Sequence, residues 1–210
     1  MATPEDQIRG LIRHFASPPD AELDELIRQG RRALLPKGEA LVRIGEVDQR
    51  IAFLHTGAVR YHVLLPETGQ DISKDFAFAP SLAVSFAAAV NEEPAQVAVS
   101  ALVDCAVTLW PFKTFRAMVE RHREWERFAR KIAEMLYVRK ERRELSFLRD
   151  DAARRYRNLL AEFPAAHEVI PQHMIASYLG IEPESLSRLK RRLGSTLART
   201  AKRPGVRSRR

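Results

Sequence analysis

The stretch IPQHMIASYLGIEPESLSRLKRRL, residues Ile170 to Leu193, reads as two short helices joined by a tight glycine turn. Ile175 and Leu179 stand at i, i+4 on the first helix and can face one core. Gly180 follows directly, where a helix stop needs a residue tolerant of positive φ. Pro183 takes a first-turn position, where its missing N–H costs nothing and its fixed φ is already helical. Leu186, Leu189 and Leu193 then form an apolar stripe at i, i+3, i+7, and Glu184, Ser187, Arg188 and Arg191 occupy the opposite face. A helix-turn-helix needs this division, with one face packed on its partner and the other offering polar groups to base edges. An ordinary helical hairpin, with Glu184 and Arg188 as an i, i+4 ion pair, satisfies the same pattern.

Charge points toward nucleic acid. The formal net charge is +8, unevenly placed: residues 1–110 hold 10 Lys and Arg against 15 Asp and Glu, and residues 111–210 hold 25 against 12. A basic half joined to an acidic half suggests one part that faces nucleic acid and one that does something else. A basic amphipathic face could bind an anionic membrane, but here the charge sits on a turn-interrupted pair of short helices. No membrane partner is expected. Cys105 is the single cysteine, so it cannot form an internal disulfide or alone hold zinc or an iron–sulfur cluster. Its apolar setting, VDCAVTLW, suits a buried structural thiol. The N-terminus MATPEDQIRG has no apolar core of a signal peptide, and no stretch reaches the length of a membrane span. The expectation is a soluble, cytoplasmic protein.

Farther from the C-terminus the texture changes. Ile8, Leu11, Ile12 and Phe15 have helical spacing, and ELDELIRQG suggests a second short helix ending at Gly30. From Arg31 to Trp110 short apolar or alternating runs lie between turn residues: RALL, IAFLH, VRYHVLL and VAVSALVDCAVTLW. Such spacing predicts a β-sandwich, jelly roll or barrel, with Gly38, Gly45 and Gly57 at its turns. A cupin-type metal enzyme is a rival, but it needs converging histidines. His55 and His62 are seven apart, with Gly57 bending the chain between them, so no metal site is expected. No phosphate loop, nucleophile elbow or paired-carboxylate motif is present, and no catalytic residue or cofactor is assigned.

Glu124 to about Asp150 lacks proline and glycine and is rich in helix formers. Trp125, Phe128, Ile132 and Met135 step by 3, 4 and 3, the spacing of a coiled-coil seam, and are read as a dimerisation stripe. The competing reading is a helix packed entirely on its own β-domain. Beyond Gly194 the segment GSTLARTAKRPGVRSRR has no alternating strands and reads as a disordered basic tail.

A β-roll, a long helix and a helix-turn-helix, in that order, resemble the Crp/Fnr transcription regulators over nearly the whole chain. The most specific segments are PKGE…IGE…FLHTGAVR, from Pro36 to Arg60, and the Ile170–Leu193 stretch. The resemblance implies an α+β chain. It has an N-terminal jelly-roll or β-roll sensor domain (1–120), a long dimerisation helix (121–150), an all-α helix-turn-helix domain (151–198) and a basic tail (199–210). It implies a homodimeric, sequence-specific regulator whose partners are double-stranded DNA, a second copy of itself and, by extension, RNA polymerase. Carried over by position, base reading falls to Glu184, Ser187 and Arg188. Arginine can donate two bonds to guanine, and a carboxylate can accept from cytosine N4. Ser185, Gln172 and His173 suit phosphate contacts near helix starts, and Lys190 and Arg191 suit positioning.

The departures concern the effector. Alignment through Pro94 places Phe86 where the family's ribose-binding glutamate stands and Ala95 where its phosphate-binding arginine stands. A buried cyclic phosphate would then lack a counter-charge. Cyclic nucleotide is therefore not expected to bind, and the effector-binding residues stay unknown. The alternative function is a ligand- or partner-binding β-roll whose helix-turn-helix makes protein contacts.

Overall fold

Thr3 starts the first helix in the way its neighbours dictate. Its hydroxyl accepts from the Asp6 N–H at 3.1 Å, while the Asp6 carboxylate accepts from the Thr3 N–H at 3.0 Å. The computed structural model describes residues 2–47 and 49–201. Its elements run α1 (Pro4–Phe15), α2 (Asp20–Gln29), β1 (Arg31–Leu35), β2 (Ala40–Val42), β3 (Arg50–Leu54), β4 (Ala58–Leu64), β5 (Asp71–Phe78), β6 (Ser81–Ala83) and α3 (Phe86–Asn91). There follow β7 (Ala98–Ala101), β8 (Cys105–Pro111), α4 (Phe112–Arg121), α5 (Arg123–Arg149), α6 (Ala152–Glu162), α7 (Ala166–Val169), α8 (Gln172–Leu179) and α9 (Pro183–Ala201). The chain divides into two compact units, Met1–Arg149 and Asp150–Arg210.

In the first unit two four-stranded antiparallel sheets, ordered β1-β8-β3-β6 and β2-β7-β4-β5, face each other. Strand β3 shows how alternation builds three layers. Ala52 and Leu54 point between the sheets, with Val59 and Val99 from the other sheet. Ile51 and Phe53 point outward into a second cluster with Ile8, Leu26 and Trp110. Both faces of β3 are buried, which is why IAFL is apolar without alternation. Gly57 enters β4 at φ +89°, and a Cβ there would stand 2.6 Å from Cys105 Sγ and 2.7 Å from the Asp104 carbonyl. Cys105 is buried against that turn, and burial raises its thiol pKa. Gly38 and Gly45 also sit at positive φ, as turn residues.

The long helix corrects part of the dimer expectation. Trp125 and Phe128 are 0% and 1% exposed within this single chain. The Trp125 indole N–H donates to Glu22 of α2 at 2.7 Å, and Phe128 packs edge-on against Phe15 and Phe115. Ile132 lies partly buried against the same cluster, and only Met135, 48% exposed, is open to solvent. The same 3-4-3 spacing serves a partner helix or the chain's own core, and here α1, α2 and α4 fill the seam first. A second correction concerns the C-terminus. The stretch from Gly194, read as irregular, continues α9 to Ala201, and the rest of that tail, 202–210, lies outside the described residues. Among the described residues no helix is long and apolar enough to cross a membrane.

Candidate nucleic-acid interface

The second unit is built around α8 and α9. Asp151 caps α6 by accepting from the Arg154 N–H at 2.8 Å. Tyr156 and Leu159 of α6, Ala166, Ile170, Ile175 and Leu179 are buried. At the end of α8 Gly180 adopts φ 66°, ψ 40°. Its N–H donates to the Ser177 carbonyl and the Ile181 N–H to the Ala176 carbonyl, both at 3.1 Å, so the last carbonyls of α8 are satisfied. Only two residues, Ile181 and Glu182, then separate Gly180 from Pro183, where α9 begins. The Glu182 carbonyl accepts from the Ser185 and Leu186 N–H groups and starts the helix.

Arg155 was not singled out in the sequence. From α6 its guanidinium donates to the Leu179 carbonyl at 3.1 Å and the Asp150 carbonyl at 2.7 Å. A cation on the C-terminal carbonyls of α8 suits the helix dipole and fixes where α8 ends. No spacing rule reveals this, because the partners are backbone atoms distant in sequence.

Burial divides α9 into two faces. Leu186 and Leu189 are buried, whereas Glu184, Ser187, Arg188 and Arg191 are exposed. Gln172 and His173 are exposed in the first turn of α8, and Ser185 is half-buried. Arg188 donates to the Ser185 hydroxyl at 3.1 Å. Among the described residues it forms no ion pair with Glu184, so the hairpin pairing considered from sequence is not what holds it. The exposed face thus carries one carboxylate, one hydroxyl and two guanidiniums on a rigid helix. Such groups can donate to or accept from base edges and phosphates.

The β-roll offers a weaker candidate. His62 lies on β4, whereas His55 lies in the turn that follows β3. His55 bonds Gln7 at 2.8 Å and Thr108 at 2.7 Å, while His62 bonds Asp71 at 3.1 Å and Ser100 at 3.0 Å. Burial lowers both imidazole pKa values. Among the described residues no three His, Cys, Asp or Glu side chains gather as metal ligands would. Ser100, His62 and Asp71 form a row like a hydrolase triad, but Arg60 grips Asp71 with two bonds of 2.9 and 2.8 Å. The strand of Ser100 is paired on both sides, which leaves its backbone N–H groups in ladders rather than facing an oxyanion. At the aligned effector positions, Phe86 opens α3 and is 44% exposed, and Ala95 is 1% exposed in the core between the sheets. The Ala95 backbone is held by Glu46 and Gly45.

No protein-family model matches the chain, and no curated protein matches it in sequence. Solved structures do. FixK2 from Bradyrhizobium japonicum superposes with a TM-score of 0.66 at 20% identity, covering 80% of this chain and 85% of that one. A candidate cAMP-binding regulatory protein from Silicibacter pomeroyi DSS-3 gives 0.61 at 25% identity, covering 88% and 84%. A candidate transcriptional regulator of the Crp/Fnr family from Eubacterium rectale ATCC 33656 gives 0.65 at 12% identity, covering 85% of each. At these identities the likeness is one of fold, and the fold is that of the solved Crp/Fnr-type regulators with their cyclic-nucleotide-binding type of β-roll.

Proposed function

We propose that this chain is a sequence-specific DNA-binding transcription regulator. The observation that carries the reading is the α8–Gly180–α9 pair, whose buried leucines leave Glu184, Ser187, Arg188 and Arg191 on one exposed face. The regulator fold of its structural neighbours supports it. In this reading α9 enters the major groove by its N-terminal half. Arg188 and Glu184 read bases, Ser187 contacts a base or phosphate, and Ser185, Gln172, His173 and Arg191 hold the backbone. The chain acts as a homodimer, and the open part of α5, where Met135, Tyr137, Val138 and Leu145 are each over 40% exposed, joins the copies. Cyclic nucleotide is not the effector in this reading, because Phe86 and Ala95 offer neither a ribose acceptor nor a phosphate cation.

The test is selection of bound fragments from random DNA by purified protein, wild type and Arg188→Ala. A lost bidentate guanine contact is worth about 1–3 kcal/mol of discrimination. One guanine position should therefore lose preference by roughly ten- to a hundredfold, with the other positions little changed. Lys190→Ala should weaken all sequences alike. No selected sequence with wild type, or an unchanged one with Arg188→Ala, defeats the assignment and favours a surface for protein contacts.

A further inference from the structure

A second site lies on the first unit and is independent of the DNA reading. Helices α1 and α2 and strand β1 enclose a groove of about 430 Å³, within the size range of small-ligand sites. Three guanidiniums line it from three elements: Arg9 of α1, Arg28 of α2 and Arg32 of β1. Two carboxylates answer them. Arg9 pairs with Asp24, and Arg32 pairs with Glu5 at 2.9 Å. Arg28 has no carboxylate partner among the described residues, so the groove holds a surplus positive charge.

The floor is preformed. Thr108 is buried beneath the groove and fixed by His55, which is itself held by Gln7. Gly30 closes the end of α2 onto that floor. A Cβ there would stand 2.5 Å from Thr108 and 2.9 Å from the Trp110 ring, so no side chain can occupy the place. The Arg32–Glu5 pair is more than half exposed on both sides. Exposed pairs contribute little to stability, so an incoming anion can take the place of Glu5 at low cost. We propose that this groove binds a small oxyanion, carboxylate or phosphate, with its head held by the forked donors of Arg28 and Arg32.

The site is wired to the long helix. Glu22 of α2 accepts from Trp125 of α5 at 2.7 Å, and Glu25 of α2 accepts from Arg121 of α4 at 3.0 Å. The Ser17 N–H, between α1 and α2, donates to Glu124 of α5 at 2.8 Å. An anion that bridges α2 to β1 through Arg28 and Arg32 acts, through the Glu22–Trp125 bond of α2, on the N-terminal turns of α5.

Intrinsic fluorescence reads binding, because Trp110 packs beneath Gly30 and Trp125 bonds to α2. The full chain is titrated with sodium succinate and, separately, with inorganic phosphate, to roughly 10 mM at ionic strength held constant with sodium chloride, and calorimetry repeats both series. A saturable response to succinate alone assigns a carboxylate, to phosphate alone a phosphate, and to both an undiscriminating oxyanion site; each supports the proposal. Arg28→Ala should raise Kd by at least about tenfold, the size of one lost charge-assisted bond. Should the alanine variant melt early, Arg28→Gln repeats the measurement with the stem retained. If Arg28 only complements the end of α2, its loss lowers the melting temperature and leaves the titration unchanged. That result, or no saturable response to either anion, overturns the site.

Discussion

Phe128→Ala decides whether the first half of the α5 stripe faces this chain's core or a second copy. Phe128 is 1% exposed, and its ring lies 6.1 Å from Phe15, 5.9 Å from Phe115 and 6.3 Å from Trp125, centroid to centroid and steeply inclined to each. Truncation removes those edge contacts and leaves a void enclosed by the outer face of the β1-β8-β3-β6 sheet and three other helices. Buried Phe-to-Ala changes of this kind cost about 3–5 kcal/mol. For a unit of this length that is a fall in melting temperature of roughly 6–20 °C, at about 2–4 °C per kcal/mol. The assay is urea and thermal unfolding followed by tryptophan emission, with light scattering alongside. Trp110 and Trp125, the two tryptophans, both lie in the first unit, so the signal reports that unit. Met135→Ala, at a half-exposed position of the same stripe, should leave the first unit's stability nearly unchanged. A Phe128→Ala protein that unfolds with the wild-type midpoint but no longer dimerises would refute the core assignment and return the residue to an interface between copies.

Acidification supplies a further prediction. His55 and His62 have folded-state pKa values lowered from 6.5, by burial first and then by Arg32 and Arg60 respectively, with Asp71 opposing at His62. The unfolded chain therefore binds these protons more readily, so their contribution is intact above the unfolded value and is lost as pH falls below about 6.5. The urea midpoint should drop from pH 7.5 to pH 5, and a His55→Gln/His62→Gln variant should show a shallower drop; an identical slope would remove the histidines from the account. Gly57→Ala should destabilise the first unit by more than the roughly 1–2 kcal/mol of a left-handed residue alone, since its Cβ meets Cys105 and the Asp104 backbone. Gly38→Ala, at φ +83° with open space around it, should show the backbone cost only, and equal losses at both positions would disprove the clash. Arg155→Ala should cost about 1–3 kcal/mol by unpairing a half-buried carbonyl; unchanged hydrogen-exchange protection in α8 would show that Leu179 does not need it.

Elements whose signals are local can be read from the order of residues. Gly180 and Pro183 are chain punctuation, and the leucine stripe of α9 follows from a 3.6-residue repeat, so the two faces of that helix are legible in the residue order. The runs at IAFLH and VRYHVLL declared strands in the same way. Strands β2, β5 and β6 and helices α3, α4, α6 and α7 are not marked by such signals. DISKDFAF carries charge at alternate and bulged positions, and LAVSFAAAV is apolar without a decisive period. Tertiary structure alone decided which partner each apolar face meets. A stripe such as Trp125–Phe128–Ile132–Met135 encodes that something covers it, and only the placement of α1, α2 and α4 shows that the chain's own core covers its first half. It alone also decided the long-range polar geometry: Arg155 on the end of α8, His55 under Thr108, and three arginines around one groove. Periodicity records the direction of a side chain relative to its own helix or strand, while convergence of residues distant in sequence depends on how those elements pack.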